Sequence, residues 1–258
     1  LPNPQYTKLA ILSSGTGEAD SAQQELSALY GNYPSEQAEV IIALGGDGMM
    51  LKCLHDHLNS NKPIYGMNRG SIGFLMNEYR PDGLLERLNN AETRSIHPLC
   101  LEATDSIGRS YTARAINEVS LLRQTHQAAK LRITVDNRVR MDELVCDGVI
   151  LATPAGSTAY NLSAHGPILP LDSPLFALTP ISPFRPRRWR GGLLPNTSTV
   201  TIEVLEADKR PVSATADHEE FRAVATIKAF QDPTSRCTMM FDYDHNWDER
   251  ILTEMFKY

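Results

Sequence analysis

The chain is 258 residues long, 41% hydrophobic and 22% charged, with a formal net charge of −6. That balance suits a folded chain of one or two domains and excludes a disordered one. General affinity for nucleic-acid phosphates or an anionic membrane draws on a surplus of Lys and Arg, so neither is an expected partner and a small-molecule substrate is.

In chain order, the first third alternates strands and helices. An apolar strand is expected near Lys8 to Ser13, a helix over Ala22 to Tyr30, and a buried strand over Val40 to Leu44. Gly45, Gly46, Asp47 and Gly48 follow, then a helix over Met49 to Leu58, a strand over Pro63 to Met67, and a helix over Pro81 to Asn90 with Pro81 in its first turn. This rhythm predicts a parallel sheet with crossover helices.

From about Ser95 the texture changes to short runs rich in Val, Thr and Ile, such as Lys130 to Val135, Thr199 to Leu205 and Ala223 to Phe230. These predict antiparallel strands. The segment Asp172 to Asn196 carries five prolines and is expected to be an ordered loop. At the end, Trp247, Ile251, Leu252, Met255 and Phe256 have helical spacing. The expected fold class is therefore α/β followed by all-β: a Rossmann-like α/β domain over 1–94, a β-rich, β-sandwich-like domain over 95–240, and a segment 241–258 whose helix packs back on the first domain.

Cys53, Cys100, Cys146 and Cys237 are scattered, which suggests neither a disulfide framework nor a zinc site and points to a reducing, cytoplasmic compartment. There is no apolar run of about 20 residues and no secretory pattern, so no membrane partner is expected.

Three stretches have the composition of a ligand site. Gly45, Gly46 and Gly48 end a buried strand, where backbone N–H groups can approach a phosphate and the next helix adds its positive end. Asp47 has no use as part of an anion cradle alone. It suits a general base or metal ligand beside a transferring phosphoryl group, or a helix cap. The second stretch, Asn68, Gly70, Gly73, Phe74 and Leu75, also follows a strand end, where open α/β sheets bind ligands, although glycines so spaced also punctuate turns. The third, Asp147-Gly148 and Thr153 to Ser163, puts hydroxyls and amides at a helix start, fit to grip a polar ring edge or a phosphate, or simply to cap the helix.

Taken in order, Gly45-Gly46-Asp47-Gly48, Asn68-x-Gly70-x-x-Gly73-Phe74-Leu75, Asn117-Glu118, Asp147-Gly148 and Thr153-Pro154-Ala155-Gly156-Ser157-Thr158-Ala159-Tyr160 resemble the NAD kinase family. The glycine-aspartate motif alone is shared with lipid kinases and phosphofructokinases; the Thr153 to Tyr160 stretch discriminates. The resemblance implies transfer of a phosphoryl group from ATP or another donor to the 2′-hydroxyl of the adenosine ribose of NAD, giving NADP. Asp47 would accept the hydroxyl proton, and Gly45, Gly46 and Gly48 would shape the phosphate loop.

By the same resemblance Lys52 contacts NAD, where a lone helix Lys would otherwise be a solvated charge, and Asn117 and Glu118 hold the adenosine half. Gly48, Phe74, Asp147, Ala155, Thr158, Ala159, Tyr160, Asn161, Leu162 and Ser163 complete the dinucleotide site. His218 stands where many members have Gly, and the resemblance gives it a place near the nicotinamide or a phosphate. The histidines form no metal set, since His55 and His57 lie two apart on a helix. A divalent cation, Mg2+, is expected to arrive with ATP, with Asp47 or Glu118 as its contributor. The resemblance also implies a homodimer or homotetramer. The basic run Arg185 to Arg190 departs from the family's usual sequence and has solvent as its default surroundings. The competing readings are a lipid kinase built on the same loop and a non-catalytic NAD-binding sensor.

Overall fold

The computed structural model describes residues 6–70, 73–243 and 256. Contacts divide the chain into two units, Leu1–Ile96 with Ser235–Tyr258, and His97–Thr234.

The first unit runs β1 (Leu9–Ser13), α1 (Gly17–Tyr30), β2 (Val40–Gly45), α2 (Asp47–Asp56), β3 (Pro63–Asn68), α3 (Leu84–Asn90) and β4 (Glu92–Ile96). Strands β1, β2 and β3 are parallel neighbours. β2 is buried along its whole length, the pattern of a strand covered on both faces. Leu9, Ile11, Val40, Ile42, Leu44, Tyr65 and Met67 pack with Ala22 and Leu26 of α1 in one core.

The second unit contains β5 (Leu99–Asp105), β6 (Ser110–Ala115), β7 (Glu118–Arg123), β8 (Ala129–Val135), β9 (Arg138–Cys146) and β10 (Gly148–Ala152). A 3-10 turn (Ala155–Thr158) and the single-turn α4 (Tyr160–Ser163) follow. Then come β11 (Leu175–Ile181), β12 (Gly192–Pro195), β13 (Val200–Val204), β14 (Val212–Ala216), β15 (Glu219–Phe221) and β16 (Val224–Gln231). They form two six-stranded sheets, ordered β12-β11-β10-β7-β14-β15 and β6-β5-β16-β13-β8-β9. Alternating inward residues of both, among them Leu131, Ile133, Ile202 and Ile227 of one and Val119, Leu121, Val149 and Ala214 of the other, share a single core. This is the β-sandwich.

β17 (Cys237–Phe241) belongs to the first unit, between β3, to which it is parallel, and β4, to which it is antiparallel. The expected boundaries at 94/95 and 240/241 therefore move to 96/97 and 234/235. Glu92–Ile96 and Cys237–Phe241 complete the α/β sheet, which short apolar runs at a texture change do not reveal.

Other expectations need adjustment. α1 begins at Gly17, because Thr16 caps it by accepting the Ala19 N–H and Glu18 and Asp20 favour its first turn. Pro81 lies before α3, whose cap is Gly83 in the left-handed conformation. The loop expected over Asp172 to Asn196 contains two strands, β11 and β12. Pro180 lies past Leu178, the last residue of β11 paired to β12, and Pro195 lies on the edge strand; both are places where a sheet tolerates a missing donor. The helix expected over Trp247 to Phe256 lies outside the described residues, save Phe256. Among the described residues no helix is long and apolar enough to cross a membrane. All four cysteines are buried and free.

Candidate functional site

In the first unit the strand-loop-helix connection is tight. A Cβ on Gly45 would lie 2.8 Å from Met49 Cβ and 2.9 Å from Ser14 Cβ, so only glycine lets β2 turn directly into α2. Gly46 is the helix cap and Asp47 the first helical residue, two positions earlier than the periodicity predicts. The Asp47 carboxylate turns toward the second motif: Oδ2 accepts the Phe74 N–H at 2.8 Å and Oδ1 the Leu75 N–H at 2.9 Å. The two glycine motifs are thus joined through Asp47, and its carboxylate is held in one orientation. Asn68 tightens the same strand end, its Oδ1 accepting the Gly70 N–H.

A buried amide that the sequence reading missed supports this arrangement. Asn77 donates to the carbonyls of Gly66 and Met240 and accepts the Asp242 N–H, tying β3 to β17. Asp242 in turn binds Arg87 at 2.6 Å and accepts from the Tyr65 hydroxyl. Burial raises the Asp242 pKa, but the hydrogen bonds from Arg87 and Tyr65 and the charges of Arg87 and Arg80 outweigh it and hold it below the ordinary value. Nothing in the local sequence around Asn77 or Asp242 marks these partners, because they come from distant strands.

Lys52 lies on the exposed face of α2, 68% exposed in its side chain, paired with Asp56 at 2.5 Å. This is the solvated i,i+4 pair of an ordinary helix.

In the second unit the structure brings together Asn117, Glu118, the Thr153–Ser163 segment and Asp217. Glu118 begins β7, opposite Ala152 at the end of β10. Thr153 fastens the crossing: its hydroxyl donates to Ile116 O at 2.7 Å and its N–H to Asn117 O at 2.9 Å. A Cβ on Gly156 would lie 2.2 Å from Asn117 O, so the motif's glycine permits backbone on backbone. Asp217 occupies the turn between β14 and β15 with φ +53°, a conformation uncommon outside glycine but tolerated by Asp. Its Oδ2 accepts the Ile116 N–H at 2.7 Å, and its Oδ1 accepts those of Asn117 at 3.0 Å and Glu118 at 3.1 Å. The sequence reading gave Asp217 no role of its own; its neighbour His218 is exposed.

Among the described residues, the buried side-chain polar atoms without a partner are Asn117 Oδ1 and Glu118 Oε2. Unpaired buried polar atoms are costly, and two side by side on one turn are what a binding site presents before its ligand arrives. Burial, and after it the charge of Asp217, push the Glu118 carboxyl up to about 7.

The remaining expected residues divide by role. Tyr160 is 38% exposed, and Thr158, Ala159 and Leu162 are half-buried beside it. Ser163 is exposed and Ala155 buried. The Asn161 side chain is engaged within the protein. It is fully buried, donates to Ser157 O and Pro167 O, and accepts from Thr179, so its amide is spent on holding the loop. Asp147 is paired with Arg123 at 2.5 Å. In the basic run, Arg185 and Arg187 stack on Phe184, all the arginines are exposed, and Trp189 packs on the sandwich core.

The family models described as the ATP-NAD kinase N-terminal domain and C-terminal domain match residues 16–94 and 116–224. A protein named NAD kinase from Caulobacter vibrioides is 59% identical over 255 residues, 99% of this chain and 98% of its own. The chain belongs to the NAD kinase family. Another family member, the NAD kinase of Rhizobium meliloti, is 56% identical over 252 residues, 98% of each chain. Among solved structures, yeast NADH kinase complexed with NADH superposes with a TM-score of 0.83 at 22% identity, covering 98% of this chain and 88% of its own. An NAD kinase from Archaeoglobus fulgidus in complex with ATP gives 0.72 at 23% identity, covering 96% of this chain and 98% of its own. At those identities the NAD kinase fold is what the two structures share with this chain.

Proposed function

We propose that this chain is an NAD kinase that transfers a phosphoryl group from ATP to the 2′-hydroxyl of the adenosine ribose of NAD, with Asp47 orienting that hydroxyl and accepting its proton. The observation that carries the reading is the Asp47 carboxylate, set at the carboxyl end of β2 and fixed there by the amides of Phe74 and Leu75. Phosphoryl transfer passes through a loose transition state that asks mainly for a nucleophile held in line, which a fixed carboxylate can provide.

Asn117 and Glu118, with their unpartnered buried oxygens, are the adenosine contacts in this reading, and the exposed Tyr160 ring is a stacking surface. Gly45, Gly46, Gly48 and the start of α2 receive the donor's phosphates. Among the described residues no group of three or more His, Cys, Asp or Glu could hold a metal. Mg2+ would come with the triphosphate, with Asp47 or Glu118 as a carboxylate able to contribute a ligand, and would supply neutralisation of phosphate charge.

The test is product identity. Purified protein with NAD, ATP and Mg2+ is expected to yield a compound that an NADP-specific dehydrogenase reduces and whose new phosphomonoester sits on the 2′-oxygen by phosphorus NMR. A 3′-phosphate, or phosphorylation of a diacylglycerol instead, would overturn the reading. NAD binding without product from any donor would favour the sensor.

A further inference from the structure

We propose that Asp217 is the positioning residue of the adenosine site, clamping the Ile116–Glu118 turn so that its backbone is fully engaged with the protein while its side chains are left for NAD. The inference deepens the NAD kinase reading and rests on it. Six backbone polar groups belong to Ile116, Asn117 and Glu118, and each has a partner. The three N–H groups converge on the Asp217 carboxylate at 2.7, 3.0 and 3.1 Å. The Glu118 carbonyl accepts the Asp217 N–H at 3.1 Å, and the other two carbonyls accept from Thr153. Asp217 therefore supplies four of the six partners from about a hundred residues away in the chain.

Three consecutive N–H groups pointing to one side make a concave anion nest. In this turn the chain fills the nest with its own carboxylate, so no ligand anion is needed there and the turn is fixed before NAD arrives. The two oxygens the clamp does not use, Asn117 Oδ1 and Glu118 Oε2, are the buried unpartnered ones. Preorganisation of this kind is paid for once, in folding, by the left-handed backbone at Asp217.

Asp217→Ala removes both acceptor oxygens and with them all three hydrogen bonds. Asp217→Asn keeps the shape and one acceptor oxygen but turns an NH2 toward one of the amides. Binding of NAD by calorimetry and kcat at saturating NAD are measured for both, with the exposed Glu220→Gln on the same hairpin as control. The expected result is an NAD Kd raised about 100-fold by alanine and about tenfold by asparagine, with kcat at saturation within about threefold of wild type, the ATP KM unchanged and the control unaffected. A merely structural role would lower Tm and the active fraction without moving the NAD Kd. An NAD Kd within twofold of wild type in either folded variant overturns the proposal, and Asp217→Asn decides alone if the alanine variant does not fold. Because the readout is binding, a wild type that binds NAD without turnover still tests the clamp, whereas a wild type that binds no NAD removes the kinase reading and the clamp together.

Discussion

The two units treat their candidate site carboxylates in opposite ways. In the α/β unit the amides of Phe74 and Leu75 are given to Asp47 itself, which holds the carboxylate in one orientation. In the sandwich the amides are given to Asp217, while Glu118 next to it keeps a buried oxygen with no partner and a pKa pushed up to about 7. On the proposed roles, the group that orients a hydroxyl is immobilised by the backbone, and the group that meets the adenosine keeps an oxygen open for it. The difference teaches that, if those roles hold, the number of protein hydrogen bonds on a carboxylate follows what it does, and a buried unpartnered oxygen points to binding.

Asp242 sharpens the comparison as a carboxylate engaged in a buried ion pair with Arg87. Its side chain is 7% exposed and that of Arg87 14%. Asp242→Ala is expected to cost about 3 to 4 kcal/mol, because the Arg87 charge is left buried without its partner. Urea unfolding measures this, and a loss under 1 kcal/mol would make the pair ornamental.

Gly156→Ala tests whether the sandwich turn depends on backbone contact. The new Cβ would meet Asn117 O, so the turn must shift; about 3 kcal/mol of stability and most of the NAD affinity should go with it. Calorimetric NAD affinity equal to wild type would show that the turn's geometry is not what binds.

Glu118→Gln should act in the other direction. A carboxyl whose pKa is raised in the folded state, from 4.5 to about 7, adds stability that is fully present below the unfolded value and lost as pH rises through about 7. The ligand-free glutamine variant should therefore gain on wild type by about 2 kcal/mol between pH 4.5 and 8, while binding NAD more weakly. Asp242, with its lowered pKa, gives the opposite slope: its contribution is present above the unfolded value and is lost as pH falls through the folded one. Parallel pH profiles of stability for wild type and Glu118→Gln would show that Glu118 is not desolvated.

The smallest effect is expected at Lys52. Its exposed pair with Asp56 is worth no more than about 0.5 kcal/mol, and Lys52→Ala should leave Tm within a degree or two. A raised NAD KM in that variant would show that Lys52 leaves Asp56 for the substrate.

Much of this was legible in the sequence. Gly45 to Gly48 and Thr153 to Tyr160 are local signals, and so are the alternating strands at Lys130 to Val135 and Thr199 to Leu205. What was not legible depends on distant partners. The amides that Asp217 holds, those of Ile116, Asn117 and Glu118, lie about a hundred residues away in the chain, and the Asn161 side chain is held by Ser157, Pro167 and Thr179. The prolines of Asp172 to Asn196 hid β11 and β12, because sequence does not show which side of a strand lacks a neighbour.

The most direct measurement is kcat and NAD affinity in Asp47→Asn. Asparagine keeps one acceptor for the Phe74 and Leu75 amides but cannot take the ribose proton. The account predicts an NAD Kd within about threefold of wild type and a kcat lower by about a thousandfold or more, the pattern of a group that acts in the transition state. Near-wild-type turnover in the folded variant would contradict it.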